Sequence, residues 1–308
     1  MRLLKLLLIL FVCAAGPAVA GPFEDGVGAY KKSDYATALR LFRPLAEQGN
    51  ASAQYNLGLM YDSGQGVPQD NAMAVSWYRK AAEQGDAIAQ SNLGNMYANG
   101  RGVPRDEAAS VSWWRKAADQ GNAIAQSNLG NMYYSGQGVQ QDYAAAVSWF
   151  RKAADQGNAG AQYNLGFMYD SGQGVPQDYV QAHKWYNLAA ARFDASEKEH
   201  RDKTVKNRDS VAAKMTPAQV DEAQKLAQEW KPVGPPIAST APAASTSPTP
   251  RSTSGSEIPM NKDGGTYVVP VLINNVMTLE GTSKNSSVRG VSVIDTDNWL
   301  SRLTFSAI

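Results

Sequence analysis

AQSNLGNMY stands at Ala89–Tyr97 and stands again, unchanged, at Ala125–Tyr133, 36 residues further on. At the same spacing Ala53-Gln54, Ala89-Gln90, Ala125-Gln126 and Ala161-Gln162 align, and so do Asn56-Leu57-Gly58, Asn92-Leu93-Gly94, Asn128-Leu129-Gly130 and Asn164-Leu165-Gly166. Trp77, Trp113, Trp149 and Trp185 keep that register, and Leu41-Phe42-Arg43 forms a weaker half-copy ahead of them. A fixed period of about 20–50 residues marks a stacked solenoid, in which one unit cannot bury its apolar face alone.

Each copy reads as two helices. In the first, Ala53, Leu57, Met60 and Tyr61 form one buried stripe; in the second, Ala74, Trp77, Tyr78, Ala81 and Ala82 do the same. Gly85 suits the left-handed residue that ends a helix, and Asp86 suits the cap of the next one. Asp70, Asp106, Asp142 and Asp178 close the internal links SGQGVPQD, NGRGVPRD, SGQGVQQD and SGQGVPQD, each placed to cap a second helix. Gly58 and its equivalents sit inside helices, where glycine costs roughly 1 kcal/mol against alanine. Close approach of a neighbouring helix, with the large Trp ring beside it, is the expected return.

Positions that vary between copies are not required for stacking. In the first helices these are Tyr55, Leu59 and Asp62; Ser91, Asn95 and Ala98; Ser127, Asn131 and Tyr134; Tyr163, Phe167 and Asp170. Their i, i+4, i+7 spacing makes one stripe, with aromatics at both ends and small amides between. Exposed aromatics in a groove are good anchors for a partner. The candidate binding residues are therefore Tyr55, Leu59, Asp62, Asn95, Asn131, Tyr134, Tyr163, Phe167 and Asp170.

The pattern A-x-A-Q-x-N-L-G-x-M-Y…G-x-G-V-P-x-D…A-x-x-W-x-R-K-A-A-x-x-G resembles the Sel-1-like repeat, a relative of the tetratricopeptide repeat, over about Tyr30 to Phe193. That resemblance implies an all-α, right-handed α-solenoid of helix-turn-helix repeats whose first helices line a concave face. It also implies a protein-binding scaffold without catalytic residues of its own.

The fourth second helix has Asn187-Leu188 for Arg-Lys and Phe193 for the stop glycine, so it is expected to run on into Phe193–Ala213. MTPAQVDEAQKLAQEW then reads as a helix with Thr216 as cap and Pro217 first. Its apolar face is Val220, Ala223, Leu226, Ala227 and Trp230, suited to covering the last repeat. Chains with repeats of this kind often end in such a helix, and the resemblance includes the words MTPAQ and EAQKLAQEW.

Outside the solenoid, residues 1–20 read as a secretory signal peptide: Arg2 and Lys5, an apolar run Leu6–Val12, then Ala18-Val19-Ala20. Cys13, the one cysteine, lies inside it after Val12 rather than a small residue, so no lipid anchor, disulfide or thiol ligand is expected. The chain is expected in a periplasm or secreted, with no stable membrane insertion once the signal is removed. Residues 232–256, rich in Pro, Ser, Thr and Ala, read as a flexible linker.

Residues 257–308 begin with Thr266–Ile273 and Val276–Leu279, two strands around an Asn274-Asn275 turn. This resembles the opening hairpin of retropepsin-like aspartic proteases. That family needs Asp-Thr/Ser-Gly on the next strand, whereas this chain offers Asp295-Thr296-Asp297, and late. The segment reads as a truncated remnant, with Glu280–Ile308 an unstructured tail.

No other chemistry is indicated. A net charge of +1 gives no reason to expect nucleic acid. His183 and His200 have no partner at ligand spacing, and His183 reads as a surface residue of the last repeat. The G-x-G links follow no strand, so no nucleotide, metal or other cofactor is expected. The Arg-Lys pairs at 79–80, 115–116 and 151–152 read as a solvated helix face, the Trp residues as core. The expected function is an exported, non-enzymatic scaffold for a protein or peptide, the alternatives being a protease with repeat-mediated targeting and a peptidoglycan or carbohydrate binder.

Overall fold

The computed structural model describes residues 21–233 and three short strands at residues 271–273, 276–279 and 292–294. The expected signal peptide and almost all of the expected linker lie outside the described residues. Ten helices form five antiparallel pairs: α1 (Pro22–Lys31) with α2 (Tyr35–Glu47), α3 (Ala51–Ser63) with α4 (Asn71–Glu83), α5 (Ala87–Asn99) with α6 (Glu107–Asp119), α7 (Ala123–Ser135) with α8 (Tyr143–Asp155), and α9 (Ala159–Ser171) with α10 (Tyr179–Ala190). Two further helices follow, α11 (Lys198–Ala212) and α12 (Pro217–Glu229), both packed on α10. The architecture is a right-handed α-solenoid. The half-copy expected at the start is in fact a whole pair.

Caps set the helix ends. Asp86 Oδ1 accepts from the N–H groups of Ile88 (3.0 Å) and Ala89 (2.8 Å), and Asp70, Asp106, Asp142 and Asp178 cap the second helices in the same manner. Gly85, at φ 95°, turns the chain between pairs.

Five helical glycines, one in each first helix, are each a notch for one ring. A Cβ on Gly94 would stand 2.6 Å from Trp114, and one on Gly58 2.7 Å from Tyr78. Phe150 fills the notch at Gly130, Tyr186 that at Gly166 and Phe42 that at Gly26. This corrects the expectation that the recurring Trp sits there. The residue after it faces the glycine of its own pair, while the Trp points along the stack. Trp77 packs on Ala46, Ala53 and Leu57, and Trp113 and Trp149 take the same place one pair on. Trp77 and Trp185 are buried, but Trp113 and Trp149 only half so.

The repeated glutamine joins the pairs. Gln90 Nε2 donates to the Ala82 carbonyl of the preceding pair (3.0 Å), and Gln90 Oε1 accepts from Gln120 (2.7 Å). Gln54 and Gln126 repeat both bonds. These carbonyls lie at helix ends and also accept from the N–H of the glycine that follows, so the glutamine takes up the second lone pair.

α10 does not run on as expected. Asp194 Oδ1 accepts from Ser196 N (2.7 Å) and Glu197 N (3.1 Å), a local turn that competes with the helix, and α11 begins afresh. α12 forms as expected, with a reciprocal Thr216–Gln219 capping box and Ala223 and Ala227 buried. Trp230 meets Trp185 edge-on at 6.5 Å.

The strands β1 (Val271–Ile273), β2 (Val276–Leu279) and β3 (Ser292–Ile294) form an antiparallel sheet with β2 central. The hairpin closes Ile273 on Val276, as the Asn274-Asn275 turn implies. β3 falls inside the stretch expected to be unstructured, where Ser292-Val293-Ile294 pairs with β2. β1 lies against α7.

Candidate functional site

The nine candidate residues fall on the layer of first helices, α3, α5, α7 and α9. Tyr55, Leu59, Asp62, Asn95, Phe167 and Asp170 are half-buried there. Burial first, and then the Asp86 carboxylate, push the Tyr55 phenol up to about 12. Its ring lies 6.0 Å from that of Tyr78.

Three candidates are not exposed: Asn131 at 0%, Tyr163 at 4% and Tyr134 at 9%. Side chains of α11 and of the turn that follows it reach the end of the stripe. Asn207 Nδ2 donates to the Tyr163 hydroxyl (3.2 Å), and Lys214 pairs with Asp170 at 3.1 Å. The middle is subtler. α5 and α7 share the sequence AIAQSNLGNMY, yet Asn95 is half-exposed and Asn131 fully buried. An identical helix cannot cause that difference, so it comes from the surroundings, and β1 is one of the elements that lie against α7.

The stripe is also not free of stacking duties, contrary to expectation. Asn95 Oδ1 accepts from Trp114 Nε1 (2.9 Å) and from Asn128 Nδ2 of the next pair (3.2 Å). Asn131 Oδ1 likewise accepts from Asn164 Nδ2 (2.9 Å). Asp62 accepts from the Tyr78 hydroxyl and pairs with Arg101 of the next copy. Burial raises the Asp62 carboxyl above the usual range, with Arg101 pulling the other way. Neighbouring first helices run close enough for short amides to bridge them, so even varying positions tie copies together.

The Arg-Lys pairs form a ladder of cation–aromatic contacts. Lys80, Lys116 and Lys152 lie over Trp77, Trp113 and Trp149 at 3.9, 4.1 and 3.9 Å. Arg79, Arg115 and Arg151 each donate to a tyrosine hydroxyl of the following copy, Tyr97, Tyr133 and Tyr169. These cations shield rings and link pairs.

His183 is 3% exposed, not a surface residue. Aligning the copies was the available signal: position 183 matches Val75, Val111 and Val147, all buried. Among the described residues no three metal-ligating side chains come together, and no helix is long and apolar enough to cross a membrane.

Fold and stripe together define a repeat solenoid whose first helices carry a partly open side-chain surface. The Sel1 repeat model matches residues 21–50, 51–86, 87–122, 123–158 and 159–192, and the chain belongs to the Sel1 repeat family. Proteins of this family are typically protein–protein interaction scaffolds and generally not enzymes. A protective antigen of uropathogenic Escherichia coli with an SLR fold is 39% identical, with a TM-score of 0.61 over 68% of this chain and 44% of that one. This chain thus spans less than half of that protein. A Sel1 repeat protein from Oxalobacter formigenes is 31% identical, with a TM-score of 0.58 over 68% of this chain and 83% of that one. No curated protein gives a significant match.

Proposed function

We propose that the protein is an exported scaffold, acting in a periplasm or outside the cell, which holds a protein or peptide against the concave layer of first helices. The observation that supports this is the open part of the stripe: Tyr55 and Leu59 at one end and Phe167 at the other stay half-exposed while the Trp rings and the Arg-Lys cations are taken up by stacking. Aromatic and aliphatic groups that are held rigid and left partly open suit partner anchoring. Asn95 lies between them, so contact there is polar.

The test is capture of envelope proteins by photo-crosslinkers placed at Leu59 and at Phe167, compared with one at Lys225 on exposed α12. One partner band shared by Leu59 and Phe167 and missing at Lys225 is the expected result. Equal labelling from all three sites would sink the concave-face reading.

A further inference from the structure

Between α10, α11 and α12 lies an open cavity of about 410 Å³, within the usual range of ligand sites. Six polar residues line it, His183 and Asn187 from α10, Arg208 and Asp209 from α11, Gln224 and Gln228 from α12. Ala212 and Val220 supply small apolar patches. Two of these side chains are departures from the repeat. His183 replaces Val75, Val111 and Val147, and Asn187 replaces Arg79, Arg115 and Arg151. Both changes occur in the one pair that this cavity borders.

The change to His183 is costly as packing. Its Nδ1 is buried and has no hydrogen-bond partner among the described residues, and a buried polar atom left unpaired is destabilising. Valine at the same place carries no such penalty. Burial and the Arg208 guanidinium hold the imidazole below its ordinary pKa, against Asp209, so it is neutral near pH 7. A buried ring nitrogen without an acceptor is better left unprotonated, which places the proton on Nε2, the ring's other donor. Arg208 is held in place: Nη1 donates to Asn187 Oδ1 (3.2 Å), and Nε and Nη2 to Asp209 Oδ1 (3.0 and 2.8 Å). Each Nη keeps a second N–H.

We propose that this cavity binds a carboxylate with an amide beside it, as in an acylated amino acid or the C-terminal end of a peptide, the carboxylate on Arg208 and His183 and the amide among Asn187, Gln224 and Gln228. A flat, singly charged carboxylate matches the guanidinium fork. A phosphate would bring a second negative charge toward Asp209. Asp209 itself is a weak competitor, because its side chain is 61% exposed and solvent-screened. Side-chain amides both donate and accept, which suits a peptide group and not a second charge.

The test is calorimetric titration of the full-length chain with N-acetyl-alanyl-alanine, with its C-terminal amide, and with a longer acetylated peptide ending in the same two residues. The free acid should bind, and amidation should weaken it by roughly tenfold or more, the loss of one charge-assisted contact. Arg208→Gln and His183→Val should each weaken the acid to a similar degree, and His183→Val should melt at the same or a higher temperature. The longer peptide binding as well as the short one identifies a protein end as the source, and binding of the short one alone identifies a small molecule. Three results would overturn the proposal: no binding of the free acid at millimolar concentration, an amide that binds equally well, or both variants binding as the parent does. Loss of binding together with a lowered melting temperature in His183→Val would also refute it, since the histidine would then be a packing residue.

Discussion

The inner pairs α3–α8 and the last pair α9/α10 share one framework and differ in what completes it. Inside the stack, the following copy finishes each second helix: Gln90 and Gln126 are bonded on both sides, and Arg79, Arg115 and Arg151 reach forward to tyrosines. No copy follows α10, and the residues change to match. Leu188, buried, stands where the inner pairs carry Lys, and Arg192 stands where they carry Gln. Arg192 lies over Trp230 at 4.3 Å, leaving Gln162 Oε1 without a partner among the described residues. The comparison teaches that the repeated letters are interface, not unit. Where the interface ends, polar groups appear that stacking does not use.

The strongest way to break this comparison is to truncate the two neighbouring tryptophans of α6. Trp114 is fully buried in the Gly94 notch and Trp113 is half-exposed. Trp114→Ala should cost about 3–5 kcal/mol in urea unfolding, and Trp113→Ala about 1–2 kcal/mol, as for a partly buried side chain. Equal losses would mean that the two rings share the core evenly.

Filling the notch itself comes next. Gly94→Ala gains roughly 1 kcal/mol of helix propensity, yet its Cβ would meet the Trp114 ring at 2.6 Å. A net destabilisation of about 1–3 kcal/mol is expected, because overpacking outweighs propensity. A stabilised variant would show that the ring can withdraw.

The glutamine tie separates inner from last pair directly. Gln126→Met removes two bonds, from Gln126 Nε2 to the Ala118 carbonyl and from Gln156 Nε2 to Gln126 Oε1, a cost of about 1–2 kcal/mol. Gln162→Met removes one bond, to the Ala154 carbonyl, and relieves an orphaned oxygen, so its cost should be clearly smaller. Thermal melts of the two variants decide it, and an equal loss would deny the difference between the two regions.

How far the sequence can be read follows from the range of the forces. The period and the caps are local, and the helices fall where Asp70, Asp86 and Gly85 put them. Which ring fills the glycine notch is not local: Trp77 and Tyr78 share one apolar face, and only the crossing of the two helices chooses between them. The stripe was legible as a face but not in its exposure, since Tyr163 is covered from α11 and α7 borders β1, both distant in the chain. His183 looked superficial for lack of a motif, although lining up the copies already placed it on a buried valine.

The smallest expected effect concerns that histidine and acidity. Burial and Arg208 lower its pKa from the ordinary 6.5, with Asp209 opposing. A group with a depressed folded value supports stability in full above its unfolded value, and that support is lost as the pH falls through the folded value. Below 6.5 the unfolded chain takes up a proton that the folded chain resists. Stability of the parent should therefore decline from that point downward more steeply than that of His183→Val, and the two should run parallel above it. Asp62 and Asp155, whose pKa values are raised, act in the opposite sense but are present in both proteins and cancel in the difference. Urea midpoints across the acid range measure it. Parallel curves throughout would mean that the imidazole stays solvated through the cavity, and the departure of the last pair from its neighbours would then carry no electrostatic cost.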